Sequence, residues 1–217
     1  DQIVVTATIQ ANQDKLAHVA PRVPGRVVKV NASLGDKVKA GQALAMLDSI
    51  DLGEARSAYL QAALHGGELP GVVAIDALMP MLRKADAEGR IRGRITIVPS
   101  ANPIGRSQYH AGELMERFHF GTQTNFNREF PLLGSPDEDP EAGLYQSTAD
   151  QRLKARLIKL SMGNDIVLDL HCDDESLAYL YVPTVLWPSM EDCAGAMNME
   201  AVLLWDGDCG AAFDQAS

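Results

Sequence analysis

The stretch "LHGGELPG" sets a histidine and a glutamate three residues apart, His65 and Glu68, with two glycines between them and a proline two residues after Glu68. Residues at i and i+3 face one side of a helical turn, so an imidazole and a carboxylate can be aimed at one point there. A hydrolytic zinc ion is typically held by three protein ligands drawn from His and Asp/Glu, with one coordination position left for water. The third ligand must come from a distant segment. His171, directly after the apolar run "DIVLDL", stands where sites of open α/β sheets form, outside the carboxyl end of a strand. Asp169 shares the strand face of His171 and can accept from its second ring nitrogen, an arrangement common behind zinc ligands. These residues alone leave the matter open. His-x-x-Glu arises by chance in many helices, a lone buried histidine is more often a hydrogen-bonded core residue, and Asp169 could equally cap a backbone group. The run Asp173, Asp174, Glu175 reads as a solvated loop, and His18, His110 and His119 lie in segments that do not point to ligation.

The elements that must position these side chains follow from periodicity. Val72, Ile75, Met79 and Leu82 recur at helical spacing with Pro80 as an expected kink, and "RITIVPS" at 94–100 reads as a buried strand. In "STADQRLKARLIKLSMGN" the pattern predicts a helix with Ser147 as N-cap, a stripe of Leu153, Leu157 and Leu160, and Gly163 near its end. "DIVLDL" and "LAYLYVPTVL" read as further strands, and "LLGSPDEDPEAG" as a surface loop. Strands alternating with helices predict an α/β fold with a mostly parallel sheet. Residues 54–64, "EARSAYLQAAL", read as helix. A strand normally precedes a functional loop such as "HGGELPG", so this helix suggests a fusion, a rearranged gene or a fragment lacking its first sheet strand.

Residues 23–48 have another style, with short β-branched runs broken by Gly-Asp and Ala-Gly turn signals. The segment "GRVVKVNASLGDKVKAGQALAMLDS" with "DLGEARSAYLQA" resembles, over roughly 60 residues, the first half of the biotinyl/lipoyl-like domain of periplasmic efflux adaptor (membrane-fusion) proteins. Asp51 falls where a carrier domain of that kind would present its modified lysine, so a swinging-arm role is not expected. The organisation expected is residues 1–60 as a β-rich adaptor-like segment ending in the start of a helix, and residues 61–217 as a second domain.

The 217 residues, 46% apolar and 22% charged, suffice for a substantial core. Nineteen basic against 29 acidic residues give a formal charge of −10, which argues against nucleic acid as a partner. The three cysteines, Cys172, Cys193 and Cys209, form no CxxC pair and are expected as free thiols. No apolar run reaches the roughly 18 to 20 residues of a membrane span, and either a cytosolic protein or one whose signal peptide has been removed is compatible with the opening residues.

Taken in order, "HGGE", "NPIG", "NFNREFP" and "DLH" resemble the succinylglutamate desuccinylase/aspartoacylase family, relatives of zinc carboxypeptidases, over about residues 63–217. The resemblance implies a carboxypeptidase-like α/β/α fold, Zn2+ held by His65, Glu68 and His171, and hydrolysis of an amide bond in a small substrate bearing a carboxylate. It implies that Asn127 and Arg128 bind that carboxylate, which suits arginine's planar fork, and that an upstream arginine polarises the scissile carbonyl. Arg117 is the first choice for that role, with Arg106 as rival. Many relatives have Asp where this chain has Asn125, so one acidic partner is absent. The family's general base is a glutamate on a later strand, which the sequence does not reach before Ser217. Glu191 and Glu200 are the available substitutes, and weak or no turnover is expected of this polypeptide. Two alternatives stand beside this reading: a periplasmic adaptor subunit of a metal-efflux pump, and a zinc-binding protein without catalysis. The two segments imply different compartments, periplasmic or cytoplasmic, and the oligomeric state is left undetermined.

Overall fold

The computed structural model describes residues 26–39, 42–48, 57–173 and 175–217. Asp51 and His18 lie outside them. Strands β1 (Arg26–Val30) and β2 (Ala45–Asp48) form an antiparallel pair, Arg26 opposite Asp48 and Val30 opposite Ala45, with an irregularity between Val27 and Lys29. The Gly-Asp signal makes a turn here. Gly35 has φ +95, and the Asp36 carboxylate accepts the Ser33 N–H at 2.7 Å.

Strand β3 (Ser57–Ala62) occupies the segment expected to be helical. Alanine, leucine and glutamine favour helix locally, but Tyr59, Gln61 and Ala62 are fully buried and β3 has a parallel neighbour on each side. Tertiary pairing outweighs a propensity of a few tenths of a kcal/mol per residue. The strand that "HGGELPG" requires is therefore present, and a boundary at 60/61 falls inside it. Helix α1 (Pro70–Ala87) follows, with Pro70 in its first turn, where the missing N–H costs nothing. Pro80 lies within this helix, which continues past it to Ala87. Gly71 permits the close approach of α1 to the sheet, since a Cβ there would sit 2.8 Å from the Leu170 Cβ.

Next come β4 (Arg94–Val98), the short helix α2 (Pro103–Ser107), and the two-residue strands β5 (Tyr109–His110) and β6 (Glu113–Leu114). Helix α3 (Ala149–Ser161) is capped by Thr148 rather than Ser147. The helix begins at Ala149, and Thr148 before it has its carbonyl taken by the Arg152 N–H and its own N–H taken by the Gln151 side chain, both at 3.1 Å. The buried face of α3 centres on Lys154, Leu157, Ile158 and Ser161, while Leu160 is partly turned to solvent. Gly163, φ +66, supplies the left-handed turn after it. Strand β7 (Ile166–Leu170) leads to β8 (Tyr179–Pro183), α4 (Trp187–Met197), β9 (Ala201–Trp205) and α5 (Phe213–Ala216).

The principal sheet has the order β4-β3-β7, all parallel, and β8 and β9 make a separate parallel pair. This is the expected mixed α/β architecture with flanking helices. Tyr59, Leu64, Ala101, Phe130, Leu157, Ile158 and Phe213 form the core, with the Phe213 ring 5.4 Å from Phe130 and 6.1 Å from Tyr59. Because β3 and β7 are parallel, their carboxyl ends open on one edge, and both His65 and His171 emerge there. No helix among the described residues is long and apolar enough to cross a membrane.

Candidate metal centre

The chain leaves β3 through Ala63, fully buried in left-handed backbone at φ 57, which redirects it from the sheet into a turn closed by the Glu68 N–H on the His65 carbonyl at 3.0 Å. Gly66 lets that turn lie against α2, since a Cβ there would stand 2.3 Å from the Arg106 backbone nitrogen. Asn102 ties "NPIG" to the same turn by accepting the Gly105 N–H and donating to the Leu64 carbonyl, both at 2.8 Å.

Three distant side chains meet at this edge. The Nδ1 of His65 lies 2.7 Å from Glu68 Oε1, and the Nδ1 of His171 lies 2.8 Å from Glu68 Oε2. The two rings are 5.3 Å apart, and one ligand atom from each of the three residues falls within 4.8 Å of the others. Each histidine is held from behind through its other nitrogen: His65 Nε2 by Asn125 Oδ1 at 2.9 Å, and His171 Nε2 by Asp169 Oδ2 at 2.8 Å. The Cys172 N–H points at Glu68 Oε2, 3.3 Å away.

The electrostatics follow from this packing. Burial alone would raise the Glu68 carboxyl, but hydrogen bonds from His171 and His65 and their charges outweigh it and hold the group well below the usual carboxylate range. Burial opposes the charged form of His171, yet Asp169 and Glu68 together push its imidazole up to about 10. Two nitrogen donors and a carboxylate converging on one point, each imidazole steadied from behind, are the donor set a zinc ion takes in hydrolases.

Arg117 reaches the cluster, with its Nη2 3.5 Å from Glu68 Oε1 and its side chain half exposed. Arg106 instead turns to Ser100 Oγ at 3.4 Å. Asn127 gives its Oδ1 to the Phe213 N–H at 2.9 Å, and Arg128 donates to the Asn127 carbonyl at 2.5 Å while staying exposed. Glu191 on α4 and Glu200 before β9 are exposed and pair with no residue of the cluster. His110 is exposed in β5, and Asp173 accepts from the Tyr179 hydroxyl at 2.7 Å. Among the described residues all three cysteines are free of disulfides.

The loop carrying Arg117, Asn125, Asn127 and Arg128 rests on a buried polar knot. Asp150 and Lys154, 2% and 1% exposed, stand 3.8 Å apart on α3, and Asp150 also meets His119 at 3.6 Å and Thr122 Oγ1 at 3.2 Å. Burial would raise the Asp150 carboxyl, but Thr148, His119, Lys154 and Thr122 lower it overall. His119 thus serves the scaffold of the loop. Sequence reasoning also missed Asp214, one residue past the buried Phe213. Its carboxyl is raised by burial and by the charge of Asp169, and it lies within electrostatic reach of His171 and Arg128. The residues around it, "FDQA", carry no motif, so only the fold reveals it.

Known proteins resemble the chain in part of its sequence and in its fold. The chain is 27% identical over 173 residues to the N-alpha-acetyl-L-2,4-diaminobutyric acid deacetylase of Halomonas elongata, covering 80% of this chain and 42% of that protein. A likeness confined to 54 residues, 48% identical, links 25% of the chain to 10% of the cobalt-zinc-cadmium resistance protein CzcB of Cupriavidus metallidurans. Among solved structures, a putative succinylglutamate desuccinylase/aspartoacylase family protein from Shewanella amazonensis superimposes with a TM-score of 0.63 at 28% identity, over 75% of this chain and 50% of that one. The chain therefore spans half or less of the length of each of these proteins. The model of the succinylglutamate desuccinylase/aspartoacylase catalytic domain matches residues 54–217, which includes β3 and every residue of the cluster, and the chain belongs to that family.

Proposed function

We propose that this chain carries the zinc site of a hydrolase that cleaves the amide bond of N-acyl amino acids bearing a carboxylate. The observation that carries the reading is the meeting of His65 Nδ1 and His171 Nδ1 on the two oxygens of Glu68, with Asn125 and Asp169 fixing both rings from behind. His65, Glu68 and His171 would hold the ion, which when bound supplies Lewis acidity toward the scissile carbonyl and toward water. Asn125 stands where many relatives have aspartate, yet its amide oxygen accepts from His65 as a carboxylate would, so the departure keeps the orientation and gives up the charge. Arg117, beside Glu68, is positioned to stabilise negative charge developing on the carbonyl oxygen. Asn127, whose oxygen accepts the Phe213 N–H, would offer its amide hydrogens to the substrate carboxylate together with the exposed guanidinium of Arg128.

Glu68 and Asp169 are both committed to the histidines, and Glu191 and Glu200 stay outside the cluster. Turnover should therefore be unchanged by Glu191→Gln or Glu200→Gln. Residues 54–217 form the hydrolase part of this reading, and the β1–β2 pair is an adaptor-like accessory to it. The test is amine release from N-acetyl-2,4-diaminobutyrate and other N-acyl amino acids by the zinc-loaded protein. Release that needs zinc and disappears in His171→Ala supports the reading. Neither binding nor cleavage of any member of the panel, or cleavage indifferent to zinc, overturns it.

A further inference from the structure

Behind the metal cluster the sheet carries two unmatched polar atoms whose chemistry is complementary. Gln61, on β3, is fully buried. Its Oε1 accepts the Tyr59 hydroxyl at 2.7 Å, while its Nε2, a donor, has no partner. Asp169, on β7, gives Oδ2 to His171, while its Oδ1, an acceptor, is buried with no partner either. In the parallel register Gln61 stands directly opposite Asp169. Neighbouring strands run about 4.8 Å apart, so the two side chains leave the same sheet face side by side. Gln61 Nε2 is the one unpartnered buried side-chain donor among the described residues. A buried donor and a buried acceptor at facing positions are rarely both left unsatisfied in native proteins.

We infer that Gln61 is a positioning residue for the metal centre: its amide donates to Asp169 Oδ1 and locks the carboxylate that orients His171. The bond closes a chain that runs from the Tyr59 hydroxyl through Gln61 and Asp169 to His171 and so to Glu68. With Oδ1 held by an N–H, Oδ2 is fixed as the acceptor for His171 Nε2–H, and the tautomer that leaves Nδ1 free for an ion is selected. On the other histidine a single amide oxygen, Asn125 Oδ1, does the corresponding work. The two halves of the centre are thus supported differently, His65 from a loop and His171 from the interior of the sheet.

This inference rests on the metal-centre reading above, and the experiment separates the two. Zinc affinity is measured by competition with a chromophoric chelator for the unaltered protein, Gln61→Leu and Gln61→Glu. Side-chain amide exchange is followed by NMR in the zinc-free protein labelled with 15N glutamine. The inference predicts a Gln61 amide with one hydrogen shifted and protected from exchange, a loss of about 10- to 100-fold in zinc affinity for Gln61→Leu, and a greater loss for Gln61→Glu. The last result arises because a second carboxylate repels Asp169, although glutamate matches glutamine in shape. Equal affinities for all three proteins would overturn the inference while leaving the metal centre intact. If the unaltered protein binds no zinc, the functional reading fails, and the NMR measurement still decides whether Gln61 holds Asp169. A freely exchanging Gln61 amide would overturn the bond regardless of metal.

Discussion

Zinc binding should displace a proton from His171, and the contacts of Asp169 and Glu68 with its ring give the direction of that effect. Without metal, Asp169 and Glu68 hold this imidazole protonated, with its titration pushed up to about 10 despite burial, while Glu68 is ionised far below neutrality. Ligation requires a neutral imidazole. At pH 7 each binding event must therefore remove one proton from His171, and apparent affinity should rise about tenfold, or about 1.4 kcal/mol, per pH unit until the pH nears 10. Glu68 contributes no proton. For the zinc-free protein the sign of the stability effect is the reverse. A folded value above the unfolded imidazole's roughly 6.5 gives stability that is complete below that pH and is lost as the pH rises through about 10. Calorimetric titration with zinc at pH 7 in buffers of different ionisation enthalpy measures the release, and the slope of observed enthalpy against buffer enthalpy should correspond to at least one proton. A slope of zero, with affinity unchanged between pH 6.5 and 7.5, would refute the argument.

Lys154→Met leaves the Asp150 carboxylate, at 2% exposure, without its lysine and with only His119, Thr122 and Thr148 to offset it, and should cost about 3–5 kcal/mol in denaturant unfolding, whereas adding Asp150→Asn should recover much of the loss; a single-substitution cost below about 1 kcal/mol would mean the pair is not what anchors the loop. Gly66→Ala places a methyl against the Arg106 backbone and should destabilise by about 1–3 kcal/mol and weaken zinc binding together, as read by unfolding and chelator competition. Arg117→Ala should lower kcat about 10²- to 10³-fold with little change in KM, measured as amine release, and a change confined to KM would instead place Arg117 in ground-state binding.

Much of the site was legible because its chemistry is written in side chains rather than in local backbone preference. Type and spacing only offered His65, Glu68, His171 and Asp169 as candidates, and it was the order of four motifs that joined them and brought Asn127, Arg128 and Arg117 into the same frame. β4 and β7 were equally plain, being continuous apolar runs flanked by turn signals. β3 was not, because "SAYLQA" contains good helix formers and becomes a strand only through two partners that lie far along the chain. That one misreading hid the rest. With 57–62 taken as helix, the strand preceding "HGGELPG" seemed lost, and Gln61 could not be seen opposite Asp169. Thr148 in place of Ser147 is a shift of one residue, decided by which carbonyl takes the first helical N–H, that of Arg152. Asn125 looked like a missing acid, since sequence shows the lost charge but not the oxygen that remains aimed at His65.

The measurement that tests the account most directly is X-ray absorption at the zinc edge on the loaded protein, with metal content determined on the same sample. The account predicts one zinc per chain, two imidazole nitrogens and a carboxylate oxygen at about 2.0–2.2 Å, and loss of both the metal and the imidazole signature in His171→Ala. A protein that retains no zinc after gel filtration, or one whose metal environment is the same with and without His171, would contradict it.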